Sequence, residues 1–154
     1  MKKLVCCVLL LMLLSAPALA VPKLSDDLFG AAKQAVDYLA SGEYERLVTL
    51  LPFSDVAPGA SEWESFAGNY DDLSHVQSEY AVAFWNGSTW VVAVPVQTPD
   101  SGSVEVLALS SEDGKSFDGY RYATWSQIEK ACAKSDHVLW NDEYLEGTPN
   151  VVAD

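Results

Sequence analysis

Cysteine is nearly missing from this chain: Cys6 and Cys7 fall in the first ten residues and Cys132 stands alone further on. A lone thiol outside the leader excludes an internal disulfide framework and a multi-cysteine metal site, so stability must come from packing. Basic residues are also scarce, nine Lys and Arg against 22 Asp and Glu, with no Lys/Arg cluster anywhere. An acidic chain of this kind repels phosphate backbones and anionic headgroups, which argues against nucleic acid as a partner. Histidine occurs only at positions 75 and 137. No H-E-x-x-H, G-x-S-x-G, P-loop, dinucleotide fingerprint or EF-hand loop occurs either, so no catalytic residue, cofactor or metal is assigned.

What the chain does have begins at its start. Lys2 and Lys3, the apolar run from Leu4 to Leu14, and Ala18-Leu19-Ala20 have the order of an export signal, with cleavage expected between Ala20 and Val21. The apolar run falls short of the roughly 20 residues a membrane-spanning helix requires, and no later stretch rivals it. The expected product is therefore a secreted or periplasmic protein without integral membrane association. Cys6 and Cys7 precede most of the apolar core, so a lipid-anchored product is not indicated. Losing Lys2 and Lys3 takes the formal charge from −13 to −15. Such a charge keeps an exported protein soluble, and it favours a basic protein or peptide, or a divalent ion, over an acidic partner.

The remaining 134 of the 154 residues suffice for one domain. The spacing assigns 21–140 to a single α+β domain and 141–154 to an acidic C-terminal tail. Leu24, Leu28, Ala31, Ala32, Ala35, Val36 and Leu39 recur with helical period, Ser25 or Asp26 can cap the start, and Ser41-Gly42 ends the run. Tyr44, Leu47, Val48 and Leu51 place a second short helix before Pro52. Residues 52–62 read as a loop, and Trp63, Phe66 and Tyr70 suggest a third helix. From Val76 the period changes to two and predicts a strand through Trp85. Asn86-Gly87 then supplies a tight hairpin turn, and Thr89 to Val96 supplies the returning strand. The same Asn86-Gly87-Ser88 fits the glycosylation triplet, but the turn already accounts for it. Pro95 has no N–H for a sheet ladder and puts its strand at an edge or in a bulge.

Pro99-Asp100-Ser101-Gly102 turns the chain into a third strand over Val104 to Leu109, and a fourth follows around Phe117 to Ala123. Ser126-Gln127-Ile128-Glu129 has the form of a capping box and opens a helix reaching about Ser135. Val138-Leu139-Trp140 offers a short fifth strand. The expected architecture is N-terminal helices packed on a curved four- to five-stranded antiparallel sheet, with one further helix near the C-terminus.

The helix followed by SGEYERLVTLLP, and then a meander rich in Trp and Tyr, resembles small exported members of the NTF2-like, cystatin-like superfamily over about residues 24–125. That resemblance implies a bent sheet wrapped around helices as a cone whose mouth holds a ligand, an active site or nothing. Leu28, Val36, Leu39, Tyr44 and Leu47 match its helix-packing positions, and Tyr80, Phe84, Trp90, Val92 and Tyr122 match sheet positions facing helix or cone. The helix from Gln127 departs from the family, which ends with its sheet. A flat helix-backed sheet, as in secreted inhibitor domains, accommodates the same element order.

Aromatic content is the chief anomaly: Trp63, Trp85, Trp90, Trp125 and Trp140 all lie beyond the leader. Such side chains either fill a core or stack on a sugar, a peptide aromatic or a cation. Trp90 alternates with Val92 and Val94 and is assigned to the core. Trp63, Trp85, Trp125, Tyr80 and Tyr122 are the candidate ligand-binding residues. The function expected first is a non-catalytic exported binding or protein-interaction domain, taking a small molecule, a glycan or a basic protein or peptide. One alternative is a small enzyme moving protons with Asp55, His75, Tyr80 or Tyr122 in a cone-shaped pocket. Another is an inhibitor or immunity-type protein with a basic partner. His75 beside Asp71 and Asp72, and His137 beside Asp136, read as ordinary polar residues in so acidic a chain, and Cys132 as a buried, inert thiol. Asp113-Gly114 and Asp118-Gly119 read as turns.

Overall fold

The computed structural model describes residues 20–70, 73, 78–97 and 104–140. The leader through residue 19, the turn at 99–102, Asp71, Asp72, His75, Val76 and the tail from residue 141 lie outside the described residues.

Helix α1 (Asp26–Ser41) forms where the 3.6-residue period is cleanest. Its buried stripe is Leu28, Ala32, Ala35, Val36 and Leu39, and Asp26 and Asp27 complement the positive end of the helix dipole. Gly42 ends it in the left-handed conformation at φ 74°, returning its N–H to the α1 carbonyls. Helix α2 (Tyr44–Leu50) follows at once and stops before Pro52. Helix α3 (Ala60–Ala67) starts three residues before Trp63, because the Glu62 side chain turns back to accept the Gly59 N–H.

A 3-10 turn at Ser78–Tyr80 precedes strand β1 (Val82–Trp85). Of the stretch expected as a strand, the described part from Ser78 enters the sheet only at Val82, the Ala81 N–H being taken by the Ser78 carbonyl within the turn. Strands β2 (Trp90–Gln97), β3 (Glu105–Ser111) and β4 (Gly119–Thr124) continue an antiparallel meander. Pro95 sits in an interior strand, and the register shifts between Pro95 and Gln97, so the proline is accommodated by a bulge and not by an edge.

Helix α4 (Trp125–Cys132) leaves β4 directly. Its cap is Thr124 and not Ser126: the Thr124 N–H donates to Gln127 Oε1 at 3.1 Å, and the Trp125 N–H to the Val104 carbonyl at 2.9 Å. Strand β5 (Val138–Trp140) then pairs antiparallel with β1, giving the order β4-β3-β2-β1-β5. Among the described residues the fold is α+β, with three helices before a five-stranded antiparallel sheet and one helix after its meander.

Alternation along the strands divides the core in two. One cluster joins α1, α2 and α3 to Ala83, Trp90, Val92, Val94, Leu107 and Leu109. The other joins α4, through Trp125 and Ile128, to Val82, Phe84, Val91, Ala93, Val106 and Ala108. Phe84 shares parity with Val82 and packs with it on this second side, beneath α4. No helix among the described residues is long and apolar enough to cross a membrane.

Candidate functional site

The chemically distinctive place is a carboxylate enclosed by tyrosines at one end of the sheet. In β3 the parity that buries Leu107 and Leu109 beneath the N-terminal helices puts Glu105 on the same face, where it is only 6% exposed. In β4 the register sets Tyr120 opposite Leu109 and Tyr122 opposite Leu107. Tyr122 is then the diagonal neighbour of Glu105, within reach of a long side chain. Its phenol donates to Glu105 Oε1 at 2.8 Å, while 38% of the residue remains exposed.

The third member comes from outside the sheet. As α3 ends, the Asn69 side chain donates to the Phe66 carbonyl and the Tyr70 N–H to the Ala67 carbonyl, which turns Tyr70 back over the sheet. Its ring lies 5.2 Å from that of Tyr122 at 59°, and its phenol donates to the Val106 carbonyl at 3.3 Å. Burial pushes the Tyr70 phenol far above its ordinary value, with the charge of Glu105 and then Tyr122 adding to the effect. Tyr70 is therefore a neutral donor at any physiological pH.

This trio closes a ribbon of rings running beneath α3. Trp63 contacts Phe53, Phe66 and Tyr120, with ring centroids 4.6 Å apart in the last pair, and Phe66 contacts Tyr70. The ribbon is packing until it reaches Tyr70 and Tyr122, where it acquires a charge and a solvent-reaching edge.

A second feature is a cleft of about 300 Å³ between the β1–β2 turn and the link from α4 to β5. Buried Phe84 and half-buried Ala131 supply apolar lining, and Lys134, Asp136 and His137 supply an exposed polar rim. Hydrogen bonds hold its walls: Ser135 Oγ lies 2.8 Å from both the Trp85 and the His137 carbonyl oxygens, and Asn86 Oδ1 accepts the Ser88 and Thr89 N–H groups. Trp85 lines this cleft, yet its indole packs on the helix-covered side, 5.9 Å from the Trp90 ring.

The sequence candidates are thus scattered. Trp63 is fully buried among rings, Trp125 is buried on the other face 6.4 Å from Trp140, and Tyr80 is buried in the 3-10 turn. Trp63 and Trp125 each sit on the inward side of their helix. Trp90, assigned to the core, is buried there and donates its Nε1–H to the Pro22 carbonyl at 2.6 Å. Tyr122 meets a buried charge. Asp55 lies exposed on a loop, and His137 is exposed at the cleft.

The acidic turn between β3 and β4 is explained by its own backbone. Asp113 Oδ1 accepts the Lys115 and Ser116 N–H groups at 2.7 and 2.9 Å, which holds its carboxyl below the ordinary 3.8, and Asp118 accepts the Glu112 N–H. Among the described residues no group of three or more His, Cys, Asp or Glu is placed to hold a metal ion. Cys132 is half-buried, and burial pushes its thiol up to about 11, which keeps it protonated and unreactive at neutral pH.

Glu105 and Tyr70 were not singled out in the sequence. Glu105 was findable by parity, as the one charge in the run Val104 to Leu109 and in phase with two leucines. The helical spacing of Trp63, Phe66 and Tyr70 places Tyr70 on a helix, and nothing in the sequence joins it to a strand 35 residues later.

Comparison with protein-family models, with curated proteins and with solved structures returned no match.

Proposed function

We propose that this protein is an exported, non-catalytic binding domain, and that its ligand contact is the Tyr70, Glu105 and Tyr122 group at the end of the helix-covered face. One observation carries the reading: a carboxylate is enclosed on a strand position that packing alone would give to an aliphatic side chain. Burying such a group costs stability unless it is hydrogen-bonded, and apolar replacements of buried charges are often neutral or stabilising. A charge kept at such a position and held by a tyrosine that reaches solvent supports a role in recognition. Tyr122 connects it to solvent. The export signal supports the exported part of the reading, and helices gathered on one face of a meander support the NTF2-like resemblance, from which the α4 crossing of the other face departs.

Amide chemical-shift mapping of the purified exported chain against a defined set of cationic, neutral and anionic small molecules tests the site. Saturable shifts centred on Glu105, Tyr122 and Tyr70 are expected. Shifts centred on Ser135 to His137 would transfer the function to the cleft, and an absence of saturable shifts at either place would overturn the reading.

A further inference from the structure

We propose that the cleft between the β1–β2 turn and the link from α4 to β5 is a second, separate binding site, and that it takes a free α-amino acid with an apolar side chain. It does not depend on the tyrosine and carboxylate group. That group lies on the helix-covered face, whereas Phe84 of the cleft belongs to the α4 side. The space measures about 300 Å³, at the lower end of the range for small-molecule pockets, which suits one small ligand. Its two walls are tied to each other. The Trp85 N–H donates to the His137 carbonyl at 3.0 Å, Ser135 Oγ lies 2.8 Å from the Trp85 carbonyl oxygen, and β1 pairs with β5 at Phe84 and Val138. Walls held by the fold do not have to be ordered by a ligand, which lowers the cost of binding.

The lining sets the chemistry of the ligand. Buried Phe84 and half-buried Ala131 form its apolar part. On the rim stand one cation, Lys134, and one carboxylate, Asp136, two residues apart. No ion pair joins them, and among the described residues neither side chain has an ionic partner elsewhere. A molecule that carries a carboxylate and an ammonium group on one carbon meets both charges at once, its carboxylate at Lys134 and its ammonium at Asp136, while an apolar side chain rests against Phe84 and Ala131.

Other ligands match only part of this lining. A simple anion would suit Lys134 but oppose Asp136, and the formal charge of −13 on the whole chain repels it. A simple cation would oppose Lys134. A zwitterion carries no net charge, so the acidic chain does not repel it and both rim charges are matched. A metal ion lacks donors here, since no group of three or more His, Cys, Asp or Glu is placed to hold one among the described residues. The volume favours a single amino acid over a peptide, whose second residue would stand outside the cleft.

Amide chemical-shift titration of the purified chain with L-leucine tests this, beside leucinamide, which lacks the carboxylate, N-acetylleucine, which lacks the ammonium, and glycine, which lacks the side chain. Saturable shifts at Gly87 and at Ser135 to His137 are expected with L-leucine, and each of the three analogues should bind about threefold or more weakly, the scale of one rim-exposed charge pair. Lys134→Gln should weaken L-leucine and leave leucinamide unchanged, and Asp136→Asn should weaken L-leucine and leave N-acetylleucine unchanged. Both side chains are exposed, so neither change disturbs the core. An absence of saturable shifts at the cleft, equal binding of any analogue, or equal loss of L-leucine and leucinamide in Lys134→Gln would overturn the assignment. The amides of Tyr70, Glu105 and Tyr122 report the other site separately, so failure here leaves that reading to its own test.

Discussion

The two faces of the sheet are built from different materials. The helix-covered face carries three helices and a ribbon of Phe, Trp and Tyr, whereas the opposite face carries mainly Val and Ala beneath the eight residues of α4. Short side chains at Val91, Ala93, Val106 and Ala108 leave little depth to fill, and Trp125 and Ile128 supply most of what α4 puts there. The aromatic face is deeper, and it alone among the described faces encloses a carboxylate next to rings. The comparison teaches that the large residues here serve two purposes which composition cannot separate. Trp63 is packing, while Tyr122, in the same ribbon, reaches solvent and holds a charge.

The largest effect should come from breaking the aromatic face at its centre. Trp63→Ala is expected to lose about 3–5 kcal/mol, since it removes a fully buried ring touching Phe53, Phe66 and Tyr120. Urea denaturation monitored by far-UV circular dichroism measures it, and a loss of less than about 1 kcal/mol would place the ring outside the core. Ile128→Ala tests the other face and should cost about 2–3 kcal/mol in the same assay, a smaller loss because a smaller side chain is removed.

Gly114→Ala probes how the entry to α1 is anchored. Gly114 adopts φ 71°, its carbonyl accepts the Ser25 N–H at 2.8 Å, and a Cβ there would run into the Lys23 carbonyl. The substitution should cost about 1–3 kcal/mol through strain and speed hydrogen exchange at the Ser25 amide, with exchange in β3 changed only by the global loss. Unaltered exchange at Ser25 would show that this turn does not hold the segment.

The smallest effect concerns Asp113. Its folded carboxyl is held below the ordinary 3.8 by the Lys115 and Ser116 N–H groups, so its contribution is complete above the unfolded value and fades as pH falls through the folded one. Asp113→Asn should therefore narrow its stability difference from the parent chain only below about pH 4, as read from melting temperatures across an acid series. A difference that instead narrows near neutrality would contradict this origin.

Much of this comparison was legible before any coordinates. The 3.6-residue stripe from Leu28 to Leu39, the Gly42 stop, the Asn86-Gly87 turn and the alternation of Trp90, Val92 and Val94 are local patterns, and each has its structural counterpart. Failures arose where two local patterns competed. Thr124-x-x-Gln127 and Ser126-x-x-Glu129 both fit a capping box, and only the pairing of Thr124 with Glu105 decides where β4 ends and α4 begins. The alternation before Val82 ran on into a segment that instead closes a 3-10 turn. The site was legible only in halves. Tyr122 stood out as an aromatic, Glu105 could be placed by parity, and Tyr70 depends on how α3 lies across the sheet, which no spacing encodes.

The central claim is that Glu105 serves recognition and not folding, and the unfolding midpoint of Glu105→Leu in urea tests it most directly. Leucine continues the Leu107 and Leu109 row, and the exposed Tyr122 phenol can turn to water. The account predicts a stability equal to or above that of the parent chain, as is common when a buried charge yields to a packed aliphatic side chain. A loss of about 3 kcal/mol or more, the scale of breaking a required buried charge network, would make Glu105 a structural residue and contradict the account.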